Sequence, residues 1–576
     1  MNPSVRNPVP RAVHALASAF VVASLCPNAG ARPPSPPVVH VGEPFAGRPV
    51  TSWDYDLDGD NRTDLRKQDM DGDGVVDRYL TDRDADGLFD LAAAKESSDG
   101  APRRHLVICL DSVPFHEMER LWGEGHFRDF FPPSRVIGAF PSDPAGAFPR
   151  IFGGRAHAAA EERRFDRASN RPLAGGVGAA GTVFDCEVPP PRGLAARLFA
   201  RRRTDPDLAR CRAALLPTRD EKKAGEPIVI FIRSTGEASR RGGREGLVSR
   251  LLEVERMIDE IFFRAAGAVR VSVFSPNGAA LSGSAPLRGI KGRLRRKGFV
   301  LSDSLDGPRD VVAEEEGGAG GFRVYTAAAN RPALAAALAA LDGIDFCVYP
   351  EGGGFIVEGP RGRAAVSLDG GRFRCALLSG DPLRLGGTMA RMRRDGEMDE
   401  NGFADDAAWL AATRSHIYPD ILRRIADAAP GSGEGPDLLV SVADGFCLGG
   451  GRAPMRGIRG SATGAQTIGM AMSSARPLPA VMRIAEVAAA VLEAVPAGTP
   501  EPTGTPLPTA EPTGTPLPAA GPSATPEPAA IETRPSPPPR LARTRRPFVR
   551  ALKRTPFPGR PSSPAGRAAQ PSNAPE

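Results

Sequence analysis

The chain has 576 residues, 41% of them hydrophobic, enough for one large or two ordinary domains with a buried core. Its formal charge of +6 is uneven: from Thr533 onward ten Lys or Arg meet one Glu, so this tail carries +9 and everything before it −3. The basic character belongs to the tail, which excludes a body built as a basic surface.

At the N-terminus Arg6 and Arg11 precede an apolar run over 12–26, and Ala29 and Ala31 form an A-x-A pattern. This predicts an export signal over 1–31, cleaved after Ala31. The run is too short to span a membrane and stay there. No other segment is apolar enough, so the mature chain is expected to have no transmembrane segment and to be extracellular, on the cell surface or periplasmic. Ala23, Ser24 and Leu25 ahead of Cys26 fit a lipoprotein signal poorly. The mature chain keeps Cys109, Cys186, Cys211, Cys347, Cys375 and Cys447, with no C-x-x-C pair. Pairing is not readable from that spacing, and Cys109 and Cys347 sit in apolar runs that suit buried thiols.

Within 50–93 an acidic pattern recurs every 13 residues. Asp56, Asp58, Asp60 and Asp64 are followed by Asp69, Asp71, Asp73 and Asp77, then by Asp82, Asp84, Asp86 and Asp90. Such spacing turns carboxylates inward around one hard cation, and Ca²⁺ takes six to eight oxygens. Gly74 and Gly87 stand at the sixth position, where the chain must turn sharply. The twelfth position is Lys67, Leu80 or Ala93 and not the Glu of an EF-hand, and no flanking helices are evident. The repeats resemble the short calcium repeats of thrombospondin type 3 segments. The expected role of Ca²⁺ is structural, with the segment disordered without it.

From 101 to 495 four apolar runs read as buried parallel strands: 105–111, 228–234, 269–275 and 437–444. Helical patterns lie between them, the clearest over 245–265, with Leu247, Leu251, Val254, Ile258 and Ile261 on one face. This predicts an α/β fold, a three-layer α/β/α arrangement around a mostly parallel sheet. Ligands in such folds bind past the carboxyl ends of the strands, near Asp111, Thr235, Pro276 and Asp444. The Gly-rich section 298–387 reads as an inserted, smaller β-containing subdomain.

The stretch VICLDSVPFHEMERLWGEGHFRDFFPPSRVIGAFPS resembles the opening of the alkaline phosphatase-like superfamily, on its type I phosphodiesterase and nucleotide pyrophosphatase side. STGEASRRGGREGL resembles that family's T-D-x-x-x-H loop, VFSPNG its S-D-H-G, and RGSATGAQTIGMAMSS its T-H-G segment. Together they span roughly 105 to 480. The resemblance implies two close metal ions, commonly zinc, which activate a Ser or Thr nucleophile and stabilise the phosphoryl oxygens. Asp111 matches the first ligand. The nucleophile position falls on Pro144, the Asp and His of the second loop on Gly236 and Arg240, those of the third on Pro276 and Asn277, and the last His on Thr463. The seven His (14, 40, 105, 116, 126, 157 and 416) leave none between 158 and 415, so zinc or manganese at this place is not expected.

Arg240 and Arg241 are candidates for holding an anion directly. Ser142 with Asp143 lacks a His base, His116 and His126 read as packing or surface residues, and the basic run 291–298 as a polar surface loop or an anion-binding edge. A Pro/Thr-rich linker covers 496–531, with EPTGTPLP at 501–508 and 511–518. The basic tail, 532–576, suits electrostatic attachment to an anionic polymer or surface component, and no base-reading motif selects nucleic acid.

The sequence thus predicts an exported, catalytically inactive phosphodiesterase-like binding or scaffolding module with calcium repeats. Two alternatives stand beside it: a metal-dependent phosphodiesterase or phosphatase with a rearranged site, and a calcium-dependent adhesive or structural surface protein.

Overall fold

In a computed structural model of the chain, the described residues are 36–42, 49–94 apart from 58, 83 and 85, 104–152, 164–173, 227–265, 269–314, 319–428, 435–449 and 454–492. All belong to one unit, Met1–Thr505. The expected signal peptide, the linker, the basic tail, Asp58, Cys186 and Cys211 lie outside the described residues.

The acidic repeats form an antiparallel meander. Its strands are β1 (Val38–Val41), β2 (Thr51–Tyr55), β3 (Leu65–Asp69), β4 (Arg78–Thr81) and β5 (Leu91–Ala94), each paired with the next in sequence. Each Asp-rich stretch is the loop between two strands. The sixth residue of every loop is left-handed: Asn61 at φ 67°, Gly74 at 88° and Gly87 at 92°. Asn is among the few side chains that tolerate this region, which explains why the first repeat keeps its turn without Gly. Trp53, Tyr55, Leu65, Val76 and Tyr79 pack into the same core as the α/β body.

The body's first sheet contains β6 (Arg104–Leu110), β7 (Ser134–Ile137), β8 (Ile228–Ile232), β9 (Val269–Ser275), β11 (Ile468–Ser473) and β12 (Val481–Arg483). Their order is β8-β6-β9-β11-β7-β12, and every strand but β11 runs the same way. Three of the four apolar runs are therefore parallel neighbours, as expected. Alternation along β6 sends Leu106, Ile108 and Leu110 to a core shared with helices α1 (Phe115–Gly123) and α3 (Ser234–Ala265). Val107 and Cys109 face the opposite core, beneath α2 (Pro144–Phe152) and the short helix Val487–Val491. This period-two split is what places helices on both faces.

The fourth run corrects the sequence reading. β10 (Leu438–Val442) does not join the parallel sheet. It lies in a second sheet, antiparallel to both Gly321–Thr326 and Ile344–Glu351. Among the described residues that sheet has nine strands, from Val300–Leu301 to Ala404–Asp405, so it extends beyond 298–387 and is larger than the first. β10 is buried on both faces, with Leu438 and Val440 in one core and Leu439 in another. A strand covered on both faces reads as a continuous apolar run whether its neighbours are parallel or antiparallel. Cys109, Cys347, Cys375 and Cys447 are buried free thiols.

Candidate functional site

β6 ends at Leu110 and delivers Asp111 to the carboxyl edge of the sheet, where its backbone N–H donates to the Ile232 carbonyl at 3.1 Å. Ser112 then turns the chain through φ 59°. Asp111 is 3% exposed. Its Oδ1 accepts from the Ser112 hydroxyl at 2.7 Å and from Nη1 of Arg459. Nη1 of Arg240 lies 3.9 Å from Oδ2. Burial disfavours the charged carboxylate, but the Arg459 and Arg240 guanidiniums and the Ser112 hydroxyl outweigh it and hold Asp111 below the usual carboxylate range.

The positions matched by family resemblance gather around this residue only in part. Thr235 donates its hydroxyl to the Asp111 carbonyl at 2.8 Å. Gly236 presses against the carboxylate, so a Cβ there would stand 2.1 Å from Oδ2. Asn277 donates to Ser112 Oγ at 3.3 Å and to the Gly278 carbonyl at 2.8 Å, while its buried Oδ1 has no hydrogen-bond partner. Pro276 is buried beside it. Thr463 turns instead to Asp444, donating to Oδ1 at 2.9 Å. Pro144 opens α2.

None of Gly236, Pro276, Asn277 and Thr463 carries a carboxylate or imidazole, and Arg240 carries a cation. This set does not fit a pair of zinc or manganese ions. The positive charge beside Asp111 comes from arginine.

Arg459 and Arg424 are the residues the sequence reading missed. Arg424 is buried and donates to the carbonyls of Ala462 at 2.9 Å, Ala139 at 3.1 Å and Pro419 at 3.2 Å, and to Thr467 Oγ1 at 2.7 Å. It ties the segment before α2 to the one before β11. Ser142 Oγ donates to the Ser461 carbonyl at 2.6 Å, and Asp143 pairs with Arg323 at 2.9 Å. Both groups of that candidate pair are thus engaged structurally. The signal for Arg459 was its place four residues ahead of Thr463 in a segment already singled out.

Of the two anion candidates, Arg240 faces Asp111, whereas Arg241 is 81% exposed and pairs with Glu237 at 2.8 Å. His116 is exposed beside Glu117, and His126 is buried with Nδ1 2.8 Å from Glu255. The basic run, expected as a loop, lies largely in a short helix, Ile290–Arg296, with Leu294 buried. A surface cavity of about 390 Å³, lined among others by Phe165, Lys291, Leu301 and Glu314, shares no residue with the surroundings of Asp111.

Placing a carboxylate at 236 tests this geometry. Gly236→Asp sets a second carboxylate against Asp111 and forces the overlap noted above. We expect a loss of about 1–3 kcal/mol from overpacking alone, read as a lower urea midpoint, and no gain of bound zinc.

The acidic loops share one hydrogen-bond plan. The first Asp accepts from the backbone N–H groups of the fourth and sixth residues: Asp56 from Gly59 at 2.6 Å and Asn61 at 2.9 Å, Asp69 from Gly72 at 2.6 Å and Gly74 at 2.9 Å. Asp64 and Asp77 accept from the second residue, Leu57 at 2.5 Å and Met70 at 2.8 Å. Carboxylate oxygens of Asp69, Asp71 and Asp77 lie within 4.8 Å of one another, as do those of Asp82, Asp84 and Asp86. Asp60, Asp73 and Asp90 complete the described part of the pattern. Burial, then the neighbouring carboxylates, push Asp73 up to about 6. Asp82 is 7% exposed and its buried Oδ1 has no hydrogen-bond partner. An all-carboxylate donor set with an orphaned buried oxygen fits a hard cation such as Ca²⁺.

No helix among the described residues is long and apolar enough to cross a membrane. No family model matches the chain and no curated protein matches it. Among solved structures it is similar to murine ectonucleotide pyrophosphatase/phosphodiesterase 5, with 9% identity over 68% of this chain and 96% of that one and a TM-score of 0.36. It is similar to phosphonoacetate hydrolase from Sinorhizobium meliloti 1021, with 10% identity over 70% of this chain and 96% of that one and a TM-score of 0.36. The human ectonucleotide pyrophosphatase/phosphodiesterase 5 follows, with 7% identity over 67% and 93% and a TM-score of 0.34.

Proposed function

We propose that this chain is an exported, non-catalytic member of the alkaline phosphatase-like superfamily, kept as a surface binding or scaffolding module with Ca²⁺ in its N-terminal loops. One observation carries the reading: the Arg459 guanidinium sits on Asp111, where the family resemblance implies metal ions. The ordered series of family-like segments supports the ancestry, and the side chains at 144, 236, 276, 277 and 463 support the loss of its chemistry. The repeated loop plan and the orphaned Asp82 oxygen support Ca²⁺, with the first loop's Asp58 expected to join its partners. Asp56, Asp64, Asp69, Asp77 and Asp82 hold the loops in shape, leaving carboxylate oxygens to face the ion. The basic tail is the attachment element, directed at an anionic polymer or surface component.

The test is metal content together with turnover. The chain from residue 32 onward is held in millimolar Ca²⁺, so that the acidic loops are filled, and exposed to zinc and manganese; bound zinc and manganese are then counted by mass spectrometry, and a generic phosphodiester is assayed on the same sample. We expect no stoichiometric zinc or manganese, and no turnover that Asp111→Asn removes. About two tightly bound ions with turnover lost in Asp111→Asn would establish an enzyme with a rearranged site instead.

A further inference from the structure

We infer that cation occupancy of the second and third acidic loops governs how firmly the α/β body is held together, a coupling that rests on the Ca²⁺ reading proposed above. The structural basis is a buried charge cluster between the repeat sheet and the body. Lys67, in the middle of β3, is 0% exposed. Its Nζ lies 2.6 Å from Asp259, 2.9 Å from Asp129 and 3.8 Å from Glu255. All three carboxylates belong to the body, two of them to α3. Directly opposite Lys67 on β4 stands Tyr79, whose hydroxyl bonds Asp129. Tyr55 on β2 donates to the Gly125 carbonyl at 2.6 Å. Val76, inside the second acidic loop, is fully buried, and its N–H donates to the Arg128 carbonyl at 3.1 Å.

The docking groups and the candidate ligands are neighbours in sequence. Lys67 precedes Asp69 by two residues. Tyr79 follows Asp77 by two and precedes Asp82 by three. β4 is therefore bracketed by the two loops whose carboxylates converge. Without a cation those carboxylates repel one another at the ends of the strands that carry Lys67 and Tyr79. Opening the loops loosens the β3–β4 register and withdraws the ammonium group from the body. Asp129 and Glu255 then remain buried without that cation, beside the partly exposed Asp259, and the body must open to hydrate them.

The coupling reaches the Asp111 edge through α3. Its long C-terminal part carries Glu255 and Asp259. Beyond the kink at Gly243 (φ 62°, ψ −138°), its N-terminal part lays Gly236 and Arg240 against Asp111. Calcium bound in a hairpin loop thus bears on the Asp111 edge by way of one helix.

The experiment is amide hydrogen exchange by mass spectrometry on the chain from residue 32 onward, in millimolar Ca²⁺ and in chelator. Calcium binding is measured on the same samples by equilibrium dialysis. We expect chelation to speed exchange about tenfold or more both in 49–94 and in 247–262. Asp84→Asn, an exposed change in the third loop, should move both regions together to higher Ca²⁺ concentration. In Lys67→Met, Ca²⁺ should still protect 49–94 but no longer 247–262. If chelation speeds 49–94 alone, the coupling is wrong while the Ca²⁺ reading stands. If no Ca²⁺ binds, that reading fails and the coupling with it.

Discussion

Lys67→Met is expected to be among the most damaging single substitutions in this chain, costing about 3–5 kcal/mol. The methionine fills the same volume, so the loss is electrostatic: Asp129, Glu255 and Asp259 keep their places without the ammonium group that faces them. Against a typical total of about 5–15 kcal/mol, such a loss is a large fraction of the stability of the domain. Burial works against the charge on Lys67, but Asp129 and Asp259 overcome it and hold its pKa well above the ordinary value.

The penalty should depend on pH. Burial, then the Asp129 and Glu255 charges, holds the Asp259 carboxyl well above the usual range, with Lys67 pulling the other way. A carboxyl whose folded pKa is raised contributes stability below its unfolded pKa and loses it as pH rises through the folded value. Removing Lys67 pushes Asp259 higher still. The gap in urea midpoint between the variant and the native chain should therefore be narrower at acid pH than at neutral pH, both measured in Ca²⁺. A gap of the same width at both would show that the cluster does not titrate as described. Adding Asp259→Asn to Lys67→Met should recover part of the loss.

Arg459→Met is the second large effect, again about 3–5 kcal/mol, because it leaves Asp111 buried beside Gly236 with Arg240 as its remaining cation. Asp111 now sits below the ordinary carboxylate range, so its contribution is present above the unfolded carboxyl pKa and is lost as pH falls through the folded value. The double variant Asp111→Asn, Arg459→Met should be more stable than Arg459→Met alone, since it removes the stranded charge. Chemical denaturation of the four proteins gives the coupling energy directly. A coupling near zero would mean that the guanidinium is not what holds Asp111. Arg459→Met should also fail to bind zinc, because removing the arginine supplies no ligand.

Much of this was legible in the sequence for a local reason. The strands that became β6, β8 and β9 are short apolar runs followed by turn residues. The 13-residue Asp period marks three loops whatever lies around them. β10 was misplaced because two-sided burial looks the same in a parallel and an antiparallel sheet. Lys67 reads as an ordinary surface lysine at the twelfth position of a repeat, and nothing nearby in sequence announces that its partners stand 62 and 192 residues away. Arg459 and Arg424 were hidden for the same reason. Asp111 stands at the end of a strand that one segment shows, whereas the arginine that pairs with it comes from another.

The Asp111–Arg459 pair also sets an order of events during synthesis. Its two members are 348 residues apart, one closing the first strand of the body and the other arriving just before β11. In a chain emerging from its N-terminus, burying Asp111 carries a penalty until residue 459 has been made, because Arg240 alone then faces the carboxylate. β11 is also the strand that separates β9 from β7 in the sheet. The first sheet is therefore open at its centre until nearly all of the body exists, and a chain truncated before residue 459 should be held by whatever binds unfolded protein and not accumulate as a stable fragment.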